Sequence, residues 1–163
     1  MQQISSIYLK IADNAGVFTP VELSVLREVL LDINVNSNST YKLVEEKEGE
    51  RVAGFAVLGR TPMTAFGWDI YWMAIDKDLQ GKGIGTRLLR RVEALILSAM
   101  DKAVIRVETS ARKDYVLAQN FYHKRGFIQA GIIPDFYGSC DDLMIFYKKI
   151  NGHDFKFRSF ANI

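Results

Sequence analysis

The sequence predicts an α/β chain of the α+β kind, a mixed and mostly antiparallel sheet flanked by helices. Three observations carry that reading. Trp68 to Ile75 has the aromatic and β-branched composition of a strand, and it runs through a glycine-rich turn into a long amphipathic helix. Two pairs of strand-like runs stand out, 41–46 with 51–58 joined by a short hairpin turn and 127–132 with 143–148 across the 134–142 connection. Between those pairs the chain alternates strand, helix, strand and helix.

Taken in order, Ser6 to Ala12 alternates Ile7, Leu9 and Ile11 with Tyr8 and Lys10 and reads as a first strand, so that three antiparallel strands would precede the central one. Thr19-Pro20-Val21-Glu22 has the form of a helix start. Thr19 can cap, Pro20 suits the first helical position, and Glu22 completes a capping box. Val25, Leu26, Val29, Leu30 and Ile33 give that helix its apolar face, and the Asn/Ser run 34–39 ends it. Lys47-Glu48-Gly49-Glu50 reads as a hairpin turn, and 59–67 as a turn-rich link into the central strand. In the long helix Ile84, Leu88, Val92, Leu95, Ile96 and Ala99 recur at helical spacing, with Arg87, Arg90, Arg91 and Glu93 on the polar side. Ala103 to Glu108 reads as the next strand. A helix over Asp114 to Lys124 follows, with Val116, Leu117, Ala118, Phe121 and Tyr122 supplying apolar contacts and Gly126 fitting its C-cap.

Composition narrows the function classes. A chain of 163 residues with 48% hydrophobic and 25% charged residues fits one globular domain, here placed at 1–150 with a tail at 151–163. A net charge of +2 lacks the basic excess of a dedicated nucleic-acid binder. The single cysteine, Cys140, excludes an intrachain disulfide and fits a reducing cytoplasm. No apolar run has the length of a membrane span, and the N-terminus lacks a signal-peptide layout. The phenylalanines at 155, 157 and 160 point to a tail that docks on the domain or on a partner subunit, as in a homodimer.

The chemistry concentrates in Gln80-Gly81-Lys82-Gly83-Ile84-Gly85. A glycine-rich turn ahead of a helix leaves backbone N–H groups at the positive end of the helix, and glycines let a bulky anion approach them. Lys82 and Arg87 add positive charge, so the turn suits a phosphate or pyrophosphate. A P-loop frame is absent, because Gly81-Lys82 is followed by Gly83. The dinucleotide fingerprint fails at Thr86, where its third glycine would stand, although Glu108 could imitate the ribose-binding acid.

What remains, Gln/Arg-x-x-Gly-x-Gly after a strand and an acidic connection, resembles the coenzyme A pyrophosphate loop of the GNAT N-acetyltransferase superfamily. Asn120-Phe121-Tyr122-His123-Lys124-Arg125-Gly126-Phe127 resembles the Phe-Tyr-x-x-x-Gly-Phe segment of the same superfamily. The resemblance covers roughly Tyr41 to Ile150 and implies central parallel strands that splay apart to receive the cofactor's pantetheine arm. It implies acetyl transfer from acetyl-CoA to a primary amine, on a small molecule or a peptide, by direct attack through a tetrahedral intermediate, with no metal. It places the backbone of Met73, Ala74 and Ile75 against the pantetheine arm and acetyl carbonyl, and Gln80, Gly81, Lys82, Gly83, Ile84, Gly85 and Thr86 around the pyrophosphate.

Tyr122 matches the tyrosine that such enzymes use as general acid. A leaving thiol of pKa about 8.5 can depart as thiolate, and a phenol of pKa about 10 can hydrogen-bond it and return a proton. Asp69 and Glu108 are the candidate bases for the acceptor ammonium, each also readable as a structural carboxylate. Tyr115 stands where the superfamily often has an asparagine that contacts pantetheine. The acidic-aromatic stretch Pro134 to Asp142 falls where such enzymes form a substrate rim, and its carboxylates could attract a cation. The alternative is a non-catalytic acyl-CoA sensor.

Overall fold

The computed structural model describes residues 2–154. The chain starts as a helix, α1 (Gln2–Ala15), where alternation predicts a strand. Seven residues are too few to separate the two periods. The buried set is Tyr8, Ile11 and Ala12, spaced three and four apart, whereas Ile7 is exposed and Leu9 half-buried. Tyr8 decides the face. Its ring lies 5.2 Å from that of Phe55, and its hydroxyl donates to Glu45 Oε2 at 2.7 Å. Helix α2 (Pro20–Val35) begins with the expected capping box. Thr19 Oγ1 accepts from the Glu22 N–H at 3.2 Å, and Glu22 Oε2 accepts from the Thr19 N–H at 2.7 Å. Leu26, Val29 and Leu30 are its buried stripe, and Val25 falls outside it.

Strands β1 (Tyr41–Glu48), β2 (Arg51–Arg60), β3 (Gly67–Ile75) and β4 (Lys102–Ser110) are followed by β5 (Ile128–Gly138) and β6 (Asp141–Asn151), hydrogen-bonded in the order β1-β2-β3-β4-β6-β5. Two antiparallel strands therefore precede the central one. Between strands lie α3 (Ile84–Ala99) and α4 (Val116–Lys124). The expected fold class, a mixed sheet flanked by helices, is the observed one.

The described residues divide into two compact units, 2–60 with 71–92 and 61–70 with 93–154, so the division falls inside β3 and inside α3. In the first unit α1 and α2 share a core with Phe55, Val57 and Ala74. A smaller cluster of Ala53, Leu79 and Ile84, with Ile75 against it, anchors the start of α3. Gly54 is required where β2 meets the end of β3. A Cβ there would lie 2.9 Å from the Ala74 carbonyl oxygen and 2.7 Å from Ile75 Cδ1.

In the second unit Gly67–Ile70 of β3 pairs in parallel with Val104–Val107 of β4, and β4 pairs antiparallel with β6 along its whole length. Glu93, expected on the polar side of α3, is instead buried and accepts from Lys148 Nζ of β6, a pair that leaves neither charge unmatched. Val116 and Leu117 are exposed, so the contacts of α4 come from Tyr122 and its neighbours. The last two strands run further than their apolar cores suggest. Pro134 to Gly138 belongs to β5, and the turn is confined to Ser139 and Cys140. Of the tail read at 151–163, Asn151 ends β6, and residues 155–163 with their three phenylalanines lie outside the described residues.

Gly54→Ala should cost about 1–3 kcal/mol, because a backbone oxygen cannot yield as a side-chain end can. Urea unfolding checks this: a lower midpoint with an unchanged slope is expected.

Candidate active site

The first unit holds the glycine-rich turn and the head of α3. After β3, Asp76 caps a 3-10 turn at Lys77–Leu79 by accepting the Asp78 N–H at 3.1 Å, and Arg51 holds Asp76 at 2.6 Å. The backbone then passes through two left-handed residues, Gly81 at φ +77° and Gly83 at φ +75°. Any L side chain is strained there, so glycine is a conformational requirement at both. The Arg87 N–H bonds the Gly83 carbonyl at 3.1 Å, which sets the first turn of α3. Helix geometry aims the N–H groups of that turn out of the helix end. Ile84 packs into the core beside Ala53 and Leu79 and is 1% exposed. A Cβ on Gly81 would meet nothing within 4 Å, and one on Gly83 only Arg87 Nη1 at 3.9 Å, so the space over both is open. Gln80, Gly81, Lys82 and Gly83 are exposed, with Gly85 and Thr86 half-buried on the first helical turn. This shape and polarity fit a pyrophosphate.

Ahead of the cradle, Met73, Ala74 and Ile75 close β3, with Ala74 buried and the other two half-buried. Just before them the rings of consecutive Tyr71 and Trp72 lie 6.3 Å apart at an interplanar angle of 49°.

Arg87 has a different job from the one its position suggested. Its Nε donates to Glu46 Oε1 at 2.8 Å, its Nη2 to Glu48 Oε2 at 2.7 Å, and its Nη1 to the Lys82 carbonyl at 3.2 Å. Arg91 Nε donates to the other oxygen of Glu46. Burial alone would raise the Glu46 pKa, but the hydrogen bonds and charges of Arg87 and Arg91 outweigh it and hold the carboxyl below its ordinary value. The arginine thus ties the hairpin to α3 and to the loop, and Lys82 is the cation left at the cradle. Two arginines four apart on α3 were the available sequence signal. Their partner, an acid buried on β1, has no local signature.

The second unit holds the remaining candidates. Asp69 is buried, with Arg106 Nε on one carboxylate oxygen at 2.6 Å and Thr61 Oγ1 on the other at 2.7 Å. That geometry makes it a tie between β3 and β4. Glu108, two residues along β4, is exposed and stands 3.6 Å from Arg106 Nη1. Tyr122 is 6% exposed, its ring 5.2 Å from Phe127, 5.4 Å from Phe121 and 6.0 Å from Phe146. Burial pushes its pKa well above the ordinary phenol value, so the hydroxyl keeps its proton at neutral pH. Tyr115 stacks on the Arg112 guanidinium, centroid distance 5.4 Å. The acids of the 134–142 stretch are engaged in shaping it. Asp135 accepts the Cys140 N–H at 2.7 Å, Asp142 accepts the Asp135 N–H at 2.9 Å, and Asp141 accepts from Ser110 Oγ.

Residues 38–129, more than half of the chain, match the acetyltransferase (GNAT) domain family. The chain is a GNAT protein. A GNAT-family protein from Desulfovibrio desulfuricans superposes with a TM-score of 0.83 at 28% identity, covering 91% of this chain and 94% of that one. The N-alpha-acetyltransferase RimI of Mycobacterium tuberculosis is 34% identical over 85 residues, 52% of this chain and 49% of the relative. An aminoglycoside 6′-N-acetyltransferase solved with coenzyme A shares the GNAT fold at 17% identity, with a TM-score of 0.66 over 91% of this chain and 89% of that one. This GNAT chain spans about half the length of the first curated relatives that it matches. Among the described residues no helix is long and apolar enough to cross a membrane.

The Glu46 pair predicts an acid limb of stability. A carboxyl whose folded pKa is lowered contributes stability that is fully present above its unfolded value, near 4.5, and is lost as pH falls through the folded value. Denaturation midpoints should therefore drop on acidification below pH 4.5, and Glu46→Gln should flatten that limb while lowering the neutral-pH midpoint.

Proposed function

We propose that the chain transfers the acetyl group of acetyl-CoA to a primary amine by direct attack. The acceptor nitrogen, once deprotonated, forms a bond to the acetyl carbonyl carbon. The C–S bond breaks, and its electron pair leaves with the thiolate. The observation that carries the reading is the pair of left-handed glycines at 81 and 83, which opens a backbone cradle at the head of α3 with Lys82 beside it. The family match, the N-acetyltransferases among the relatives and the coenzyme A bound to a fold neighbour support the same cosubstrate.

In this reading the backbone of Met73, Ala74 and Ile75 receives the pantetheine arm, and an N–H there polarises the acetyl carbonyl. The segment from Gln80 to Thr86 receives the pyrophosphate. Tyr122 is the general acid. Its burial makes it first a hydrogen-bond donor to sulfur, with proton delivery the costlier second step. We assign the base role to Glu108 in preference to Asp69, whose two oxygens are occupied, with water carrying the proton where the carboxylate does not. The acceptor is a free small molecule or a peptide amine. The same cradle serves a non-catalytic acyl-CoA sensor equally well, and turnover separates the two.

Calorimetric titration with acetyl-CoA tests the cradle. Wild type should bind, and Gly83→Glu should not, since its carboxylate repels the pyrophosphate and strains a left-handed position. Failure of wild type to bind would overturn the proposal. Tyr122→Phe should retain acetyl-CoA affinity and lose about 10²-fold or more in kcat.

A further inference from the structure

Tyr71 is out of place for a central strand. β3 lies between β2 and β4, and Trp68, Asp69, Ile70 and Ala74 on the same strand are buried, yet Tyr71 is 42% exposed. Its position is built rather than accidental. Gly59 lies beside it on β2, where a Cβ would crowd Tyr71 Cε2 at 3.2 Å and the Thr40 carbonyl oxygen at 3.0 Å, so the ring sits close against the glycine backbone. Tyr41, directly across from Gly59 on β1, meets the Tyr71 ring edge-on at 5.5 Å and 74°. Trp72 stands 6.3 Å away on the third side. Two aromatic rings, Tyr41 and Trp72, together with the backbone at Gly59 thus flank the exposed Tyr71 ring.

We propose that this aromatic wall is the acceptor-side specificity surface, and that the preferred acceptor is a primary amine on a short arm from a flat aromatic ring. The inference rests on the acetyl-transfer reading above. Tyr71 precedes Met73 by two residues, about 7 Å along a strand. An aromatic ring laid against Tyr71 therefore places a nitrogen two or three carbons away beside the backbone assigned to the acetyl group. Such a ring gains offset or edge-on contact with Tyr71, and the ammonium beside it gains attraction from the same π face. The wall itself carries no formal charge, so it selects for a ring and not for a second cationic group.

The test has a readout independent of acetyl transfer, because Trp72 borders the site and its emission reports occupancy. Titration with 2-phenylethylamine should shift tryptophan fluorescence saturably, and spermidine should shift it only at concentrations at least tenfold higher. Tyr71→Phe should keep the affinity for 2-phenylethylamine, and Tyr71→Ala should weaken it about tenfold. In both variants acetyl-CoA affinity, measured by calorimetry, should stay at the wild-type value. Trp72→Phe should remove the fluorescence response while calorimetry still registers the amine. Equal affinity for spermidine and 2-phenylethylamine, or a Tyr71→Ala variant that binds the aromatic amine as wild type does, would overturn the proposal. Loss of acetyl-CoA binding in the wild type would instead strike the acetyl-transfer reading, and the fluorescence titration distinguishes the two.

Discussion

The cradle depends on a buried carboxylate that never needs to touch a ligand. Glu46 sits 5% exposed on β1 and takes a guanidinium on each oxygen, Arg87 and Arg91, both from the first half of α3. A lone buried carboxylate would be costly, and two hydrogen-bonded cations offset that cost. Because Arg87 also reaches the Lys82 carbonyl, the same pair of charges fixes the helix axis and the loop that enters it. The N–H groups of the first turn point where Glu46 makes them point.

This arrangement separates two tasks that the sequence merges. Arg87 lies one turn into the helix and reads as a phosphate ligand, but its charge is matched by Glu46 and Glu48. An anion at the loop meets oriented backbone dipoles and one lysine. Backbone N–H groups are fixed and need no reorganisation when a charge arrives, whereas a long cationic side chain loses rotamer freedom to hold one. In the proposed reading the left-handed turns at Gly81 and Gly83 serve binding as much as any side chain does.

Much of this was legible in the sequence. Local signals with a backbone mechanism read correctly: the Thr19–Glu22 capping box, the alternating glycines, and Gly126 at φ +85° after α4. Elements with an unambiguous period, such as α3, did too. Readings failed where a short segment satisfied two periods, as at Ser6 to Ala12, because tertiary burial of Tyr8 and Ala12 chose the helix. They also failed where a charge finds a partner far along the chain. Glu93 with Lys148, Asp69 with Arg106, and Glu46 with its arginines join residues 37 to 55 apart, and no local pattern announces such pairs. The cluster around Tyr71 was hidden for a related reason, since it needs Gly59 and Tyr41 from other strands.

The central claim is that backbone N–H groups at the head of α3 hold the cosubstrate's phosphates. Amide chemical shifts, followed by NMR while coenzyme A is added, test it most directly. The account predicts the largest saturable changes at Gly81, Lys82, Gly83, Ile84 and Gly85, with smaller ones at Met73 to Ile75. Saturable binding that leaves those five amides unmoved would contradict it.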